Sequence, residues 1–239
     1  MKTQRDFQMF KTKAILLSLT MFMLVACAGN QGKSISTEPQ TQSKTLPNGT
    51  PAYDDAAIAA SYYMKQLAAI RADSLKAVES TDWLKFRKEF LNCRLSQPER
   101  FNASALETVI KLARKSGDKD EELKVSQELL DMDFTNIFAH YTIATHPNVD
   151  ENVKEFHKKV VGELLRSIRD SGQGNSTENA MYVINIGEEY DFLHFSGFKP
   201  VRQELIEENG RQYDRMITEG NDGNKYQFYF DVTDFFGHY

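Results

Sequence analysis

From Tyr53 to Asp170 apolar residues return at three- and four-residue intervals, the spacing that lines one face of an α-helix; beyond Gly172 the interval shortens to two, the spacing of a half-buried strand. Ala56 to Glu79 contains no Gly or Pro and reads as one helix. Asp82 is placed to cap a second, which carries Trp83, Phe86, Phe90 and Leu91 and ends at Pro98. Ser104 to Lys115 presents Leu106, Val109, Ile110 and Ala113 on one face; after Gly117-Asp118, Glu121 to Leu130 presents Leu123, Val125, Leu129 and Leu130. Asp133-Phe134-Thr135-Asn136 leads into a third helix with Ala139 and Ile143-Ala144. The clearest helix starts at Asp150, with Val153, Phe156, Val160, Leu164 and Ile168 in one stripe, and Gly172 stands just past its end, where a C-terminal cap belongs.

These helix, short turn, helix units resemble a degenerate tetratricopeptide repeat. A fainter copy lies 31 residues on: Leu112-Ala113 matches Ile143-Ala144, Val125 matches Phe156, and Leu129-Leu130 matches Val160-Val161. A free-standing solenoid needs about three repeats, so two copies imply that the helices pack against another part of the chain.

The second half supplies that part. Ala180 to Ile186 is a short β-branched run of strand length, predicted as a central strand. Asn209-Gly210 between Val201–Glu208 and Arg211–Thr218 is a type I′ hairpin signal, and its register sets Glu208 opposite Arg211, Ile206 opposite Tyr213 and Glu204 opposite Arg215. Tyr226, Phe228, Phe230 and Val232 then alternate with polar neighbours. The expected class is α+β: N-terminal antiparallel helices with tetratricopeptide-like hairpins over residues 51–170, packed on a small, mostly antiparallel sheet over 176–239, together one domain of residues 51–239.

The N-terminus changes the picture of where this domain sits. Lys2, Arg5, Lys11 and Lys13 precede the 13-residue apolar run Ala14 to Ala26, too short for the about 20 residues of a spanning helix. Leu24-Val25-Ala26-Cys27 has the form of a lipobox, so residues 1–26 read as a lipoprotein signal peptide and Cys27 as the lipidated residue. Lipidation of several chains gives stable anchoring, and the bilayer expected is the outer membrane, with the periplasmic face favoured. Residues 27–50 are rich in Ser, Thr, Gln, Pro, Asn and Gly and read as a flexible tether that lets the domain stand about 25 Å off the bilayer. Cys93 is then left without a disulfide partner and is expected to be a small buried hydrophobe. Without the leader the chain carries a net charge of −8, which argues against nucleic acid as a partner.

A resemblance rests on Ser167 to Asp231. The string SIRDSGQGNSTENAMYVINIGEEYDFL, followed by GFKPVRQELIEENGRQYDRM and YFDV, resembles the signature of the DUF4919 family, a group of Gram-negative lipoproteins and secreted proteins. The similarity extends back to about Asp82. In the family the loop usually reads Ser-Gly-Asp-Gly; here Gln173 replaces the acid, which weakens a metal or acid/base role for that loop. The resemblance implies envelope location and fold, and carries no established activity.

Candidate chemistry gathers at Asp170, Asn175, Glu188, Glu189, Tyr190 and His194, with Tyr213-Asp214 adjacent in the sheet. A Gly loop at a helix end with paired carboxylates could hold a divalent cation or act as acid and base. The structural reading is stronger: Gly172 and Gly174 serve turns, and Glu188 and Glu189 suit the first turn of a short helix. Adjacent helical carboxylates also diverge by about 100°, so only one can enter a site. His140 and His146 fall on different faces, and His157, at the edge of an apolar stripe, reads as a core histidine. No His-Glu-x-x-His, Cys-x-x-Cys, Gly-x-Ser-x-Gly or phosphate-loop motif occurs, and neither cofactor nor metal is expected. The leading expectation is therefore a non-enzymatic adaptor that binds an envelope protein or peptide. The alternative is a metal-dependent or acid/base hydrolase using Glu188, Glu189, Asp170 and His157; a small-ligand binder using Tyr182, Tyr213 and Tyr229 ranks third.

Overall fold

The computed structural model describes residues 44–72, 74–101 and 103–238; the leader, Cys27 and the tether as far as residue 43 lie outside the described residues. The end of the expected tether belongs to the folded part: Leu46 is buried in the core, Thr45 bridges Pro51, and the Asn48 amide donates to Asn92 Oδ1 at 2.8 Å.

The stretch read as one helix is three, α1 (Asp55–Ala60), α2 (Tyr62–Ala72) and α3 (Ser74–Ser80). The first break falls at Ser61, which is extended (φ −62°, ψ 157°) and whose hydroxyl accepts from Met64 N. A serine that satisfies backbone donors with its own side chain competes with helix continuation. Asp82 caps α4 (Trp83–Ser96) by accepting from Lys85 N. The short α5 (Pro98–Phe101) leads to α6 (Ser104–Ser116), closed by Gly117 in the left-handed region (φ 79°), then α7 (Lys119–Met132), α8 (Ile137–Thr145) and α9 (Glu151–Arg169). Each of α6, α7 and α8 packs on the helix that follows it, and α4 packs on α2 and α9. Among the described residues no helix is long and apolar enough to cross a membrane.

Gly172 does not cap α9. That helix ends at Asp170 in a right-handed conformation, and a Cβ on Gly172 would lie 2.3 Å from Ala180 O. Glycine is needed there for close backbone approach, and the left-handed residue of the loop is Gly174 (φ 66°).

Four strands form one sheet in the order β1-β4-β3-β2, from β1 (Met181–Tyr182), β2 (Phe198–Glu208), β3 (Arg211–Gly220) and β4 (Lys225–Asp231). Asn209 (φ 54°) and Gly210 (φ 74°) make the primed turn, and all three expected β2–β3 pairs are present. The strand read as central is instead a two-residue edge strand, parallel to β4. Val183 and Ile184 are fully buried, yet their stretch leaves the ladder: Ile184 N donates to Glu188 Oε2 and Ile184 O accepts from Arg94 Nη2. Asn185 then caps α10 (Ile186–Phe195) by accepting from Glu188 N. Phe192 of α10 packs edge-on against Phe228 and Phe230 of β4, so α10 lies between the sheet and the helical layer. The class is α+β, helices first and sheet last.

Candidate functional site

The centre of the junction is a guanidinium. Arg87 sits on α4 within the stripe of Trp83, Phe86 and Phe90 and is fully buried. Its Nε donates to Glu188 Oε1 at 2.8 Å and its Nη2 to Glu188 Oε2 at 2.5 Å, a bidentate pair. Nη1 donates to Ser167 Oγ at 3.1 Å and Nη2 also to Tyr182 O at 2.8 Å. One side chain thus ties α4 to α9, β1 and α10. Arg94, two turns along α4, donates to Ile184 O at 2.5 Å, and burial holds its pKa below the usual arginine value.

Glu189 points the other way, toward Asp214 of β3. It is 0% exposed, and neither of its carboxyl oxygens receives a hydrogen bond. Burial, and then the charge of Asp214, pushes its pKa up to about 9; burial raises Asp214 as well. A proton on Glu189 turned toward Asp214 meets the needs of both groups. Asp214 Oδ2 also accepts from Gln203 Nε2 at 2.5 Å, and Gln203 Oε1 accepts from Tyr190 OH at 3.0 Å. A general acid must come within hydrogen-bond reach of its substrate; Glu189 reaches no solvent.

The other two nominated residues lie apart. His157 Nδ1 is 2.7 Å from His140 Nδ1, and His140 Nε2 is 3.0 Å from Phe134 O. A carbonyl only accepts, so His140 carries its proton on Nε2 and its Nδ1 accepts from His157. Burial pushes His140 well below the usual histidine value and His157 to about 4. Asp170 is exposed and accepts from Arg169 Nε at 2.8 Å. It stands about 20 Å along α9 from His157, at about 1.5 Å per residue. Among the described residues no three His, Cys, Asp or Glu side chains gather in a way that could hold a metal ion. Cys93 is a free, buried thiol that burial pushes up to about 11.

Among the described residues two clefts open to solvent beside this junction. One, of about 550 Å³, is lined by Asp170, Gly172, Gln173, Asn179, Phe192 and Phe228. The other, of about 630 Å³, opens between α8, α10 and the start of β2 and is walled by Phe138, Tyr141, Tyr190, Phe195 and Phe198. Tyr141 and Phe195 meet edge to face with centroids 5.0 Å apart. Asp191 and His194, one turn apart on α10, line this cleft with Lys199 and Asn221. Burial, then the charges of Glu107 and Glu188, raise Asp191 to about 7, with Lys111 opposing. Asp191 and Arg87, together with Arg94 and the cleft residues Phe138, Tyr141, Phe195 and Phe198, are residues that the sequence reading does not single out. A basic residue at the apolar phase of α4 was the available signal for Arg87; an acid between Tyr190 and Phe192 was a fainter one for Asp191.

Residues 85–239 match the family model described as Domain of unknown function (DUF4919), a span that starts two residues before Arg87 and includes both clefts. No curated protein and no solved structure matches the chain.

Proposed function

We propose, for a chain that belongs to the DUF4919 family, the role of a non-enzymatic envelope lipoprotein that seats an extended peptide or protein segment in the aromatic cleft between α8, α10 and β2. The cleft is the observation that carries the reading. Its aromatic walls give large contact area at little conformational cost, while Asp191, His194 and Lys199 supply polar selection at the rim. The fates of Glu188, Glu189, Asp170 and His157 support it further, because each is engaged in the fold or distant from the rest. Anchoring through Cys27 to the outer membrane is supported by the leader and lipobox.

The test is in-cell photocrosslinking from position 141 of the tagged full-length protein, with fatty-acid labelling of the same sample. One recurrent envelope protein is expected at near-stoichiometric yield; Phe198→Ala lowers that yield by about tenfold, and Cys27→Ser abolishes labelling. Absence of any crosslinked partner overturns the cleft reading, and labelling that survives Cys27→Ser overturns the anchor. A hydrolase reading would now rest on Asp191, whose raised pKa suits proton transfer near neutrality. Host phenotype lost with Asp191→Asn, while crosslinking from position 141 persists, would favour it.

A further inference from the structure

Among the described residues the outer side of β2 is the longest strand edge without a neighbouring strand. This strand of 11 residues ends the sheet order, and among the described residues no other backbone bonds to its free side. Natural edges are guarded by charged side chains, Lys above all, and by Pro and bulges. Here Lys199, Pro200 and a register shift between Pro200 and Arg202 guard the beginning, and beyond them the guards are the charges of Arg202, Glu204, Glu207 and Glu208. From Arg202 to Glu208 the strand pairs regularly with β3, carries no Pro, bulge or Lys, and places Leu205, 52% exposed, at its midpoint.

The charges on this stretch fit a second copy of itself. Residues facing each other across an antiparallel pair share a sheet face, so a two-fold axis must pass through a residue position. With the axis at Leu205, Leu205 meets its own copy, Gln203 meets Glu207, and Arg202, which within its own strand pairs with Glu204, meets Glu208 of the second copy, which within its own chain accepts from Thr177. An axis at Glu204 would set Glu204 on itself, and one at Ile206 would set Glu204 against Glu208, both destabilising. We infer that β2 is a homodimer edge, pairing antiparallel across a two-fold axis at Leu205 and extending the four-stranded sheet into its copy. A single strand pair buries less than the roughly 1,200 Å² of a stable interface, so the dimer forms and dissociates readily.

The inference is independent of the cleft and is tested by disulfide trapping of the full-length protein in its own host. Leu205→Cys is expected to give a covalent dimer under mild oxidation, whereas Leu112→Cys, at 61% the more exposed of the two but on α6, gives at least fivefold less. Buried Cys93 does not compete. In the Leu205→Cys background, Arg202→Glu lowers the dimer yield by about fivefold, and Arg202→Glu with Glu208→Arg restores it. Unchanged melting temperatures of the variants exclude misfolding as the cause. Equal trapping at positions 205 and 112, or a yield blind to both charge changes, overturns the inference. Trapping of a different protein at position 205 overturns it in favour of strand addition by that protein.

Discussion

Glu188 and Glu189 are neighbours in the first turn of one helix, both buried, and their surroundings differ in kind. On the helical side, Glu188 meets a bidentate guanidinium and a backbone N–H. On the sheet side, Glu189 meets another carboxyl group and no donor. A buried charge with a matched partner organises structure even where it adds little net stability, whereas an unmatched one changes its protonation state. The first neighbourhood therefore fixes how four elements meet, and the second makes stability depend on pH.

The strongest way to break this comparison is to remove the guanidinium. Arg87→Met leaves Glu188 buried without its partner and is expected to lose about 3–5 kcal/mol. For a domain of this size that lowers Tm by about 6–20 °C, read by thermal melting. Arg87→Met combined with Glu188→Leu should recover part of the loss, because the orphaned charge goes with its partner while Ile184 N and Tyr182 O lose theirs. A single variant within about 1 kcal/mol of wild type would show that the pair does not organise the junction.

The sheet side predicts the opposite sign. Glu189 holds a proton in the folded state up to about pH 9 but releases it in the unfolded chain above about pH 4.3. The folded state binds more protons between those limits, so the stabilising share of Glu189 is complete at low pH and is lost as pH rises through 9. Glu189→Gln keeps a donor toward Asp214 without a titrating group. Linkage between those two values sets an upper limit of about 5 kcal/mol on its gain at pH 8, and little should change at pH 4, measured by urea unfolding. Asp133 and Asp191, raised to about 6 and about 7, still titrate in the variant, so the flattening is read above pH 7.

What the chain made legible follows from how local each cause is. The β2–β3 register follows from Asn209-Gly210 and from pairing chemistry within 20 residues, and the cap at Asp82 from a three-residue motif. The 100° divergence of Glu188 and Glu189 also holds, since one faces α4 and the other β3. What helix phase could not tell was that both directions are interior, because α10 is covered on both sides. The same non-local cause hid the fate of Ala180 to Ile186. Its apolar side chains are core, as its pattern says, but side chains of Arg94 and Glu188 take the backbone groups that a longer strand would have used. Ser61 and Gly172 were misread because the deciding atoms, Met64 N and Ala180 O, are invisible to periodicity.

The smallest expected effect sharpens the comparison from the acid side. His140 and His157 are also a buried pair without a counter-charge, made of bases in place of acids. With His157 lowered to about 4 in the fold and near 6.5 unfolded, the unfolded state binds more protons between those values. The contribution is complete above pH 6.5 and is lost as pH falls through 4, about 1–2 kcal/mol of it by pH 5. His157→Phe leaves His140 Nδ1 without its donor, so its absolute stability mixes a lost hydrogen bond with the lost titration. The slope separates them. Between pH 7 and 5 the variant should lose less stability than wild type, while its decline above pH 7 stays that of wild type. A variant that also flattens the alkaline limb would mean that the two pairs titrate as one system, and the contrast between the helical and sheet sides of the junction would fail.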